Sequence, residues 1–253
     1  MSAEIGKQKS WEASLFDPPL TEEPLNQKRL EGIKVCVFDA YGTLFDYASA
    51  AAQCRGELSG KLDGLNTLWR EKQLQYSWLR ALQGKHADFW TVTGDALDFT
   101  LEMMGLASPA LRERLMTLYL TLEPFPEVLE TLRRLKRAGL KTAILSNGTP
   151  EMLHRAVENA KIGPLLDSVL SVEEVGVFKP HPRVYQLAVD RLDIPREAIL
   201  FLSANAWDAY AASAFGMGVV WCNRYGQKPE RLPGKPDRVV QSLSELPALV
   251  GAL

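Results

Sequence analysis

Val35-Cys36-Val37-Phe38-Asp39-Ala40-Tyr41-Gly42-Thr43-Leu44 is the stretch that decides how this chain folds. Val35, Val37 and Phe38 form an apolar run typical of a strand covered on both faces. The run stops at Asp39, and a buried strand does not tolerate a carboxylate without a compensating group. Gly42 permits a sharp turn directly afterwards, and Thr43 supplies a hydroxyl. In an open parallel sheet the carboxyl ends of the strands line the crevice where ligands bind. Taken alone, Asp39 is an ordinary cap for the segment that follows.

Outward from this strand the pattern splits in two. Residues 45–125 carry helical periods and no convincing strand. Leu97, Leu101 and Met104 share one face, and Leu111, Leu115, Leu118 and Leu122 share another. Gly105, Ser108 and Pro109 separate these two helices. From Pro126 the period changes. Val128, Leu132 and Leu135 predict a helix face that stops at Gly139. Strands are predicted over 141–145, 168–172, 198–202, 219–222 and 239–240. Helices are predicted over 151–160, 184–192, 206–215 and 243–249. This alternation means βα units and a parallel sheet with helices on both faces. The expected architecture is α/β: a Rossmann-like, doubly wound parallel sheet core with an inserted all-helical cap domain. The core takes residues 31–44 and 126–253, and the helical cap takes residues 45–125. Such an insert reads as a lid that excludes water from an active site. Residues 1–30, with Pro18, Pro19, Pro24 and many charges, form an N-terminal extension too polar to build a core. Trp11, Leu15 and Phe16 are its candidates for docking on a surface or a second subunit.

Composition narrows the function classes. A chain of 253 residues can bury one sizeable core, or a core plus a smaller domain. Hydrophobic content of 46% with 24% charged residues is that of a soluble globular protein. The formal net charge of −2 offers nothing to attract nucleic acid or an anionic membrane. No apolar run approaches spanning length, and the N-terminus lacks a charged-then-apolar export pattern. The three cysteines, Cys36, Cys54 and Cys222, are widely spaced and odd in number, so free thiols and a cytoplasmic location are expected. His86, His154 and His181 form no pair at metal-ligand spacing. Absence of a G-x-S-x-G elbow, with so few histidines, argues against a Ser–His–Asp hydrolase.

Three strands end in polar residues. Asp39 follows the first, Ser146-Asn147-Gly148 the second, and Ser203-Ala204-Asn205-Ala206-Trp207-Asp208 the fourth. Phe178-Lys179-Pro180 precedes a helix between them. Each group alone is an ordinary turn or cap residue, and a lone lysine before proline is usually a solvated charge. In a parallel sheet, however, all carboxyl ends lie along one edge, so these groups converge.

Their order resembles the haloacid dehalogenase superfamily: an aspartate motif, a Ser/Thr motif, a Lys motif and an acidic loop. In that superfamily the aspartate of the first motif is the nucleophile. Lys179 beside Asp39 would favour the ionised carboxylate that a nucleophile requires. Most members are Mg²⁺-dependent phosphatases, and the chain departs from them. It has Tyr41 where they carry a second aspartate, and Ala204 where they carry a metal-binding aspartate. Asp208 is then the only carboxylate in the last loop, a poor donor set for Mg²⁺. These departures resemble one branch, the L-2-haloacid dehalogenases. The opening motif from Phe38 to Asp46 carries the likeness, as does the helix Trp69-Arg70-Glu71-Lys72-Gln73-Leu74-Gln75-Tyr76-Ser77-Trp78-Leu79-Arg80. Ile144 to Gly148, Val177 to Pro180 and Ser203 to Asp208 complete it. Glu71 stands where glutamine is expected, and Ala204 where a second serine is common.

The resemblance implies hydrolysis of (S)-2-haloacids to (R)-2-hydroxyacids and halide, with inversion at the carbon bearing the halogen. Asp39 would attack that carbon and form an ester, which water then opens. Arg70, Asn147 and Trp207 would cradle the halide as its charge develops. Ser146, Lys179 and the backbone N–H groups at Ala40 and Tyr41 would hold the substrate carboxylate. Asp208, Asn205 and Ser203 would orient the water, and Thr43 would hydrogen-bond Asp39. Tyr41, Leu74, Phe89, Trp90 and Tyr185 would wall the pocket. The expected partners are a small 2-haloalkanoic acid, water and halide. No cofactor, metal, nucleic acid or membrane is expected. Family members are commonly dimers, and Trp78, Leu79 and Leu82 offer apolar area for a homodimer. The rival readings are a Mg²⁺-dependent small-molecule phosphatase and a non-catalytic binding protein of the same fold.

Overall fold

The computed structural model describes residues 30–58 and 60–252. The expectations for the N-terminal extension, including Trp11, Leu15 and Phe16, lie outside the described residues. At its edge, Leu30 N–H donates to the Leu249 carbonyl at 2.9 Å.

The chain opens with β1 (Val35–Phe38) and β2 (Phe45–Asp46), then the helices α1 (Ser49–Ala52), α2 (Leu62–Gln83), α3 (Phe89–Met103) and α4 (Pro109–Tyr119). It continues through β3 (Glu123–Pro124), α5 (Val128–Arg137), β4 (Lys141–Ser146), α6 (Pro150–Asn159) and β5 (Ser168–Ser171). The last part comprises α7 (Pro182–Leu192), β6 (Ile199–Ser203), α8 (Ala206–Phe215), β7 (Gly218–Cys222), β8 (Arg238–Val240) and α9 (Leu246–Leu249). Six strands form one sheet in the order β5-β4-β1-β6-β7-β8, every neighbouring pair parallel. β1 sits in the interior of the sheet with all its residues buried, as its unbroken apolar run requires. From β1 the chain winds out to β4 and β5, then crosses back to β6 and winds the other way. The winding reverses at β1, and the crevice at such a switch point lies beyond the carboxyl end of the strand. Asp39 stands there, its N–H held by the Leu202 carbonyl at 2.8 Å.

The helices begin where the sequence supplies caps. Asp88 accepts from Thr91 N–H at 2.7 Å at the head of α3. Ser108 and Thr149 cap α4 and α6, each followed by a proline in the first turn, where the missing N–H costs nothing. α2 buries Leu62, Leu65, Trp69, Gln73 and Ser77. Their spacing of three or four residues makes a single stripe, which packs against α3. Among the described residues no helix is long and apolar enough to cross a membrane.

One expectation is corrected. Residues 45–125 were expected to hold no strand, yet β2 and β3 pair antiparallel, Phe45 opposite Pro124 and Asp46 opposite Glu123. Strands this short show no alternation in the sequence, and their pairing links residues far apart in the chain. The pair closes the neck of the helical insert. Arg224 braces it, donating to the Thr43 carbonyl at 2.8 Å and lying 3.9 Å from the Phe125 ring centroid.

Candidate active site

Asp39 is the hub of a buried polar network at the switch point. Gly42, with φ +87°, takes a backbone conformation that side chains disfavour, and it reverses the chain directly after the strand. Ala40 C=O then accepts from the N–H groups of Leu44 at 2.9 Å and Phe45 at 3.0 Å. The turn brings Thr43 back beneath the carboxylate. Thr43 Oγ1 donates to Asp39 Oδ2 at 3.2 Å and accepts from Ala204 N–H at 2.8 Å. Asn205 Nδ2 donates to the same Oδ2 at 2.8 Å and to Tyr41 C=O at 3.1 Å.

On the other oxygen, Lys179 Nζ donates to Asp39 Oδ1 at 3.0 Å and also to Asp208 Oδ2 at 2.9 Å. Lys179 is 1% exposed and Asp208 fully buried, so two carboxylates share one ammonium out of water. Burial pulls the Lys179 pKa down, but the charges of Asp208 and Asp39 outweigh it and hold the ammonium above its ordinary value. Asp208 is pushed upward, first by burial and then by the charge of Asp39, against the pull of Lys179. The Tyr185 hydroxyl, held far above its usual value by burial and by Asp208, stays protonated. It donates to Asp208 Oδ1 at 2.7 Å. Tyr185, expected as a pocket wall, therefore also does polar work.

The remaining strand-end residues fall into place around this core. Asn147 Oδ1 accepts the Lys179 N–H at 3.0 Å, and Ser203 Oγ accepts the Asn205 N–H at 3.1 Å. Ser146 Oγ accepts the Gly148 N–H at 3.2 Å. A Cβ on Gly148 would lie 2.7 Å from the Tyr41 hydroxyl, so only glycine allows this close approach. That hydroxyl is buried without a hydrogen-bond partner. Cys36 and Cys222 are no rivals to Asp39 as nucleophiles, because burial pushes their thiols up to about 12 and about 11.

Arg70 reaches the network from α2. Its Nη2 donates to Asn205 Oδ1 at 3.2 Å, which chains it to Asp39 through the Asn205 amide. Its Nη1 donates to Gln73 Oε1 at 2.7 Å, and its guanidinium lies 5.2 Å from the Tyr47 ring centroid. Arg70 shares a small recess with Tyr47, Gln73 and Tyr119. Trp207 instead packs edge-on against Trp78, ring centroids 5.4 Å apart, in a wider apolar groove of about 880 Å³ that Lys179 also lines. Of the expected halide cradle, Arg70 lines the recess and Trp207 the groove, while Asn147 lines neither and holds the Lys179 backbone. Phe89 is buried against Tyr41 at 5.8 Å and Phe178 at 5.9 Å, while Leu74 and Trp90 are half-buried. Glu71 is exposed. The motif reading missed Gln73, Tyr47 and Tyr119. The signal for Gln73 was present, since it is a long polar side chain on the buried stripe of α2.

Comparison with known proteins is consistent across three measures. Residues 33–216 match the model of the haloacid dehalogenase-like hydrolases. The (S)-2-haloacid dehalogenase 1 of Pseudomonas sp. strain CBS-3 is 46% identical over 223 residues, covering 87% of this chain and 98% of that relative. A solved dehalogenase superposes with a TM-score of 0.85 at 44% identity, covering 87% of this chain and 97% of the other. The L-2-haloacid dehalogenase of Xanthobacter autotrophicus, solved with chloropropionic acid covalently bound, gives a TM-score of 0.82 at 39% identity, with coverage of 87% and 98%.

Proposed function

The chain belongs to the haloacid dehalogenase-like hydrolases, and from that premise we propose that it hydrolyses (S)-2-haloacids to (R)-2-hydroxyacids and halide. The observation that carries this reading is the Asp39 carboxylate. Its Oδ2 accepts two donors, Thr43 and Asn205, while among the described residues Oδ1 accepts only the Lys179 ammonium. Oδ1 therefore keeps a lone pair for the substrate carbon, and the bound donors fix its direction. Attack by Asp39 at C2 breaks the carbon–halogen bond, and halide leaves with the electron pair. Arg70 donates to it as charge develops. Water then adds to the Asp39 carbonyl carbon, and Asp208 takes the proton. Burial makes Asp208 a stronger base than a solvated aspartate. The bond between the Asp39 carbonyl carbon and the ester oxygen then breaks, and that oxygen takes the proton back from Asp208 and departs as the product's hydroxyl, regenerating the Asp39 carboxylate. Ser146 and Lys179 hold the substrate carboxylate, and Ala40, Tyr41, Leu74, Phe89 and Trp207 shape the space around the acyl chain.

The donor set speaks against the phosphatase alternative. Lys179 fills the position between Asp39 and Asp208, and the buried Ala204 methyl offers no ligand. A non-catalytic binding protein has no need of two buried carboxylates around one lysine. S-2-chloropropionate is expected to give R-lactate and chloride, with the rate unchanged by EDTA. Loss of turnover on chelation, or strong Mg²⁺-dependent hydrolysis of p-nitrophenyl phosphate, would favour the phosphatase.

The same proposal divides the chain into a core of residues 31–44 and 126–253 and a cap of residues 45–125, with the paired β2 and β3 at its neck. It places the protein in the cytoplasm, in keeping with three free, buried thiols. It also includes a homodimer. Leu79 and Leu82 on α2 are 46% and 85% exposed, an apolar area the cap does not cover. Trp78 contributes less than its sequence promised, because it packs on Trp207. Light scattering at micromolar concentration should give twice the mass of one chain. A Leu82→Glu variant should give the mass of one chain, and a monomeric wild type would remove this part of the proposal.

A further inference from the structure

We infer that Gln73 is a positioning residue that aims the Arg70 guanidinium at the departing halide. The inference rests on the dehalogenase reading given above. Gln73 is 1% exposed, on the stripe of α2 that otherwise packs against α3. A buried amide requires partners on both its oxygen and its nitrogen. Arginine has only donors, so the Gln73 oxygen must face Arg70, and it accepts from Nη1 at 2.7 Å. The amide nitrogen then faces the other way, donating to Thr93 Oγ1 at 2.7 Å and to the Tyr119 hydroxyl at 3.1 Å. Thr93 Oγ1 in turn donates to Phe89 C=O at 2.6 Å, which ties the amide to the backbone of α3. The Tyr119 hydroxyl also donates back to Gln73 Oε1 at 3.4 Å, so both ends of the amide are held. This relay ends on the guanidinium from the cap side, as Asn205 holds it from the core side at 3.2 Å.

Two of the five N–H donors of Arg70 are occupied by these holders. The others stay available to a leaving group, and the planar fork cannot swing without breaking the Gln73 bond. An apolar side chain at position 73 would leave the guanidinium with a single hydrogen-bonded holder, Asn205, beside the face of the Tyr47 ring. It would then have to be fixed in place during the reaction, which lowers its value for stabilising a developing charge.

The test exploits the leaving group. Chloride is a poorer leaving group than bromide and depends more on donated stabilisation. Gln73→Met is expected to lower kcat on S-2-chloropropionate about 10-fold, the scale of one misplaced charge-assisted hydrogen bond. The loss on S-2-bromopropionate is smaller, so the chloro-to-bromo ratio of kcat falls. Thr93→Val, which loosens the far end of the relay, shifts the ratio in the same direction by less. In an Arg70→Ala background, already slowed on the order of 10²-fold, Gln73→Met should change nothing further. An equal loss on both substrates, or a loss that adds to that of Arg70→Ala, would show that Gln73 only supports the cap and would overturn the inference. Both readouts are ratios at fixed protein, so a lowered Tm in the variant does not imitate them. A wild-type protein that releases no halide from either substrate would instead overturn the dehalogenase reading itself.

Discussion

Asp39→Asn releases halide more slowly by a factor on the order of 10⁶, the scale seen when a covalent nucleophile is removed. The amide keeps the shape of the carboxylate but lacks the charge that attacks carbon. Ser146 and Lys179 remain in place, so the variant should still bind the substrate acid. The route is checked by oxygen accounting in the wild type. With enzyme in excess over substrate in H₂¹⁸O, a single turnover should give unlabelled hydroxy acid and place the label in the Asp39 side chain. This follows because the new hydroxyl comes from Asp39 and solvent oxygen replaces it. Mass spectrometry of the peptide that contains Asp39 reads the gain directly. Label in the product on the first turnover, with Asp39 unlabelled, would make Asp39 a general base and remove it as nucleophile.

The second large effect concerns Lys179. Lys179→Met leaves Asp39 and Asp208 buried together with no ammonium between them. Removing one partner from a buried ionic group costs roughly 3–5 kcal/mol. In a chain of this size that lowers Tm by roughly 10 °C, and turnover is lost with it. A second substitution separates the two consequences. Lys179→Met combined with Asp208→Asn removes one of the two uncompensated carboxylates and leaves Asp39 with its Thr43 and Asn205 donors, so part of the Tm should return while activity does not. Failure of the double variant to regain stability would show that Lys179 matters for packing rather than as the counter-ion of the pair.

The sign of the pH dependence follows from Asp208, whose carboxyl burial pushes upward. The folded protein holds that proton more tightly than the unfolded chain does. The group therefore favours folding most at pH below the ordinary aspartate value, and that advantage fades as pH rises through the raised one. Lys179 limits the loss in the wild type. The Tm deficit of Lys179→Met should accordingly be larger at mildly alkaline than at mildly acidic pH. A deficit independent of pH would contradict this account.

The unbroken apolar run of Val35 to Phe38 was enough to place β1 inside the sheet, because a strand covered on both faces needs no polar alternation. The change of period at Pro126 was enough for the βα alternation, and helix α8 runs over the residues the periodicity predicts. Asp39, Lys179 and Asp208 could be picked out because parallel strands put their carboxyl ends on one edge. Local pattern carries that much, since period and chain order survive in the linear string. Other features depend on contacts between residues distant in the chain. The β2–β3 pair joins residues 45–46 to 123–124, and neither strand is long enough to show a period. Tyr185 read as an apolar wall because its ring is apolar, but its hydroxyl finds Asp208 only once α7 packs beside α8. Arg70 and Gln73 are neighbours on one helix, yet their roles appear only when Asn205 arrives from the core and Thr93 from α3. A donor's orientation is set by all the acceptors around it, and those are assembled by packing rather than by spacing.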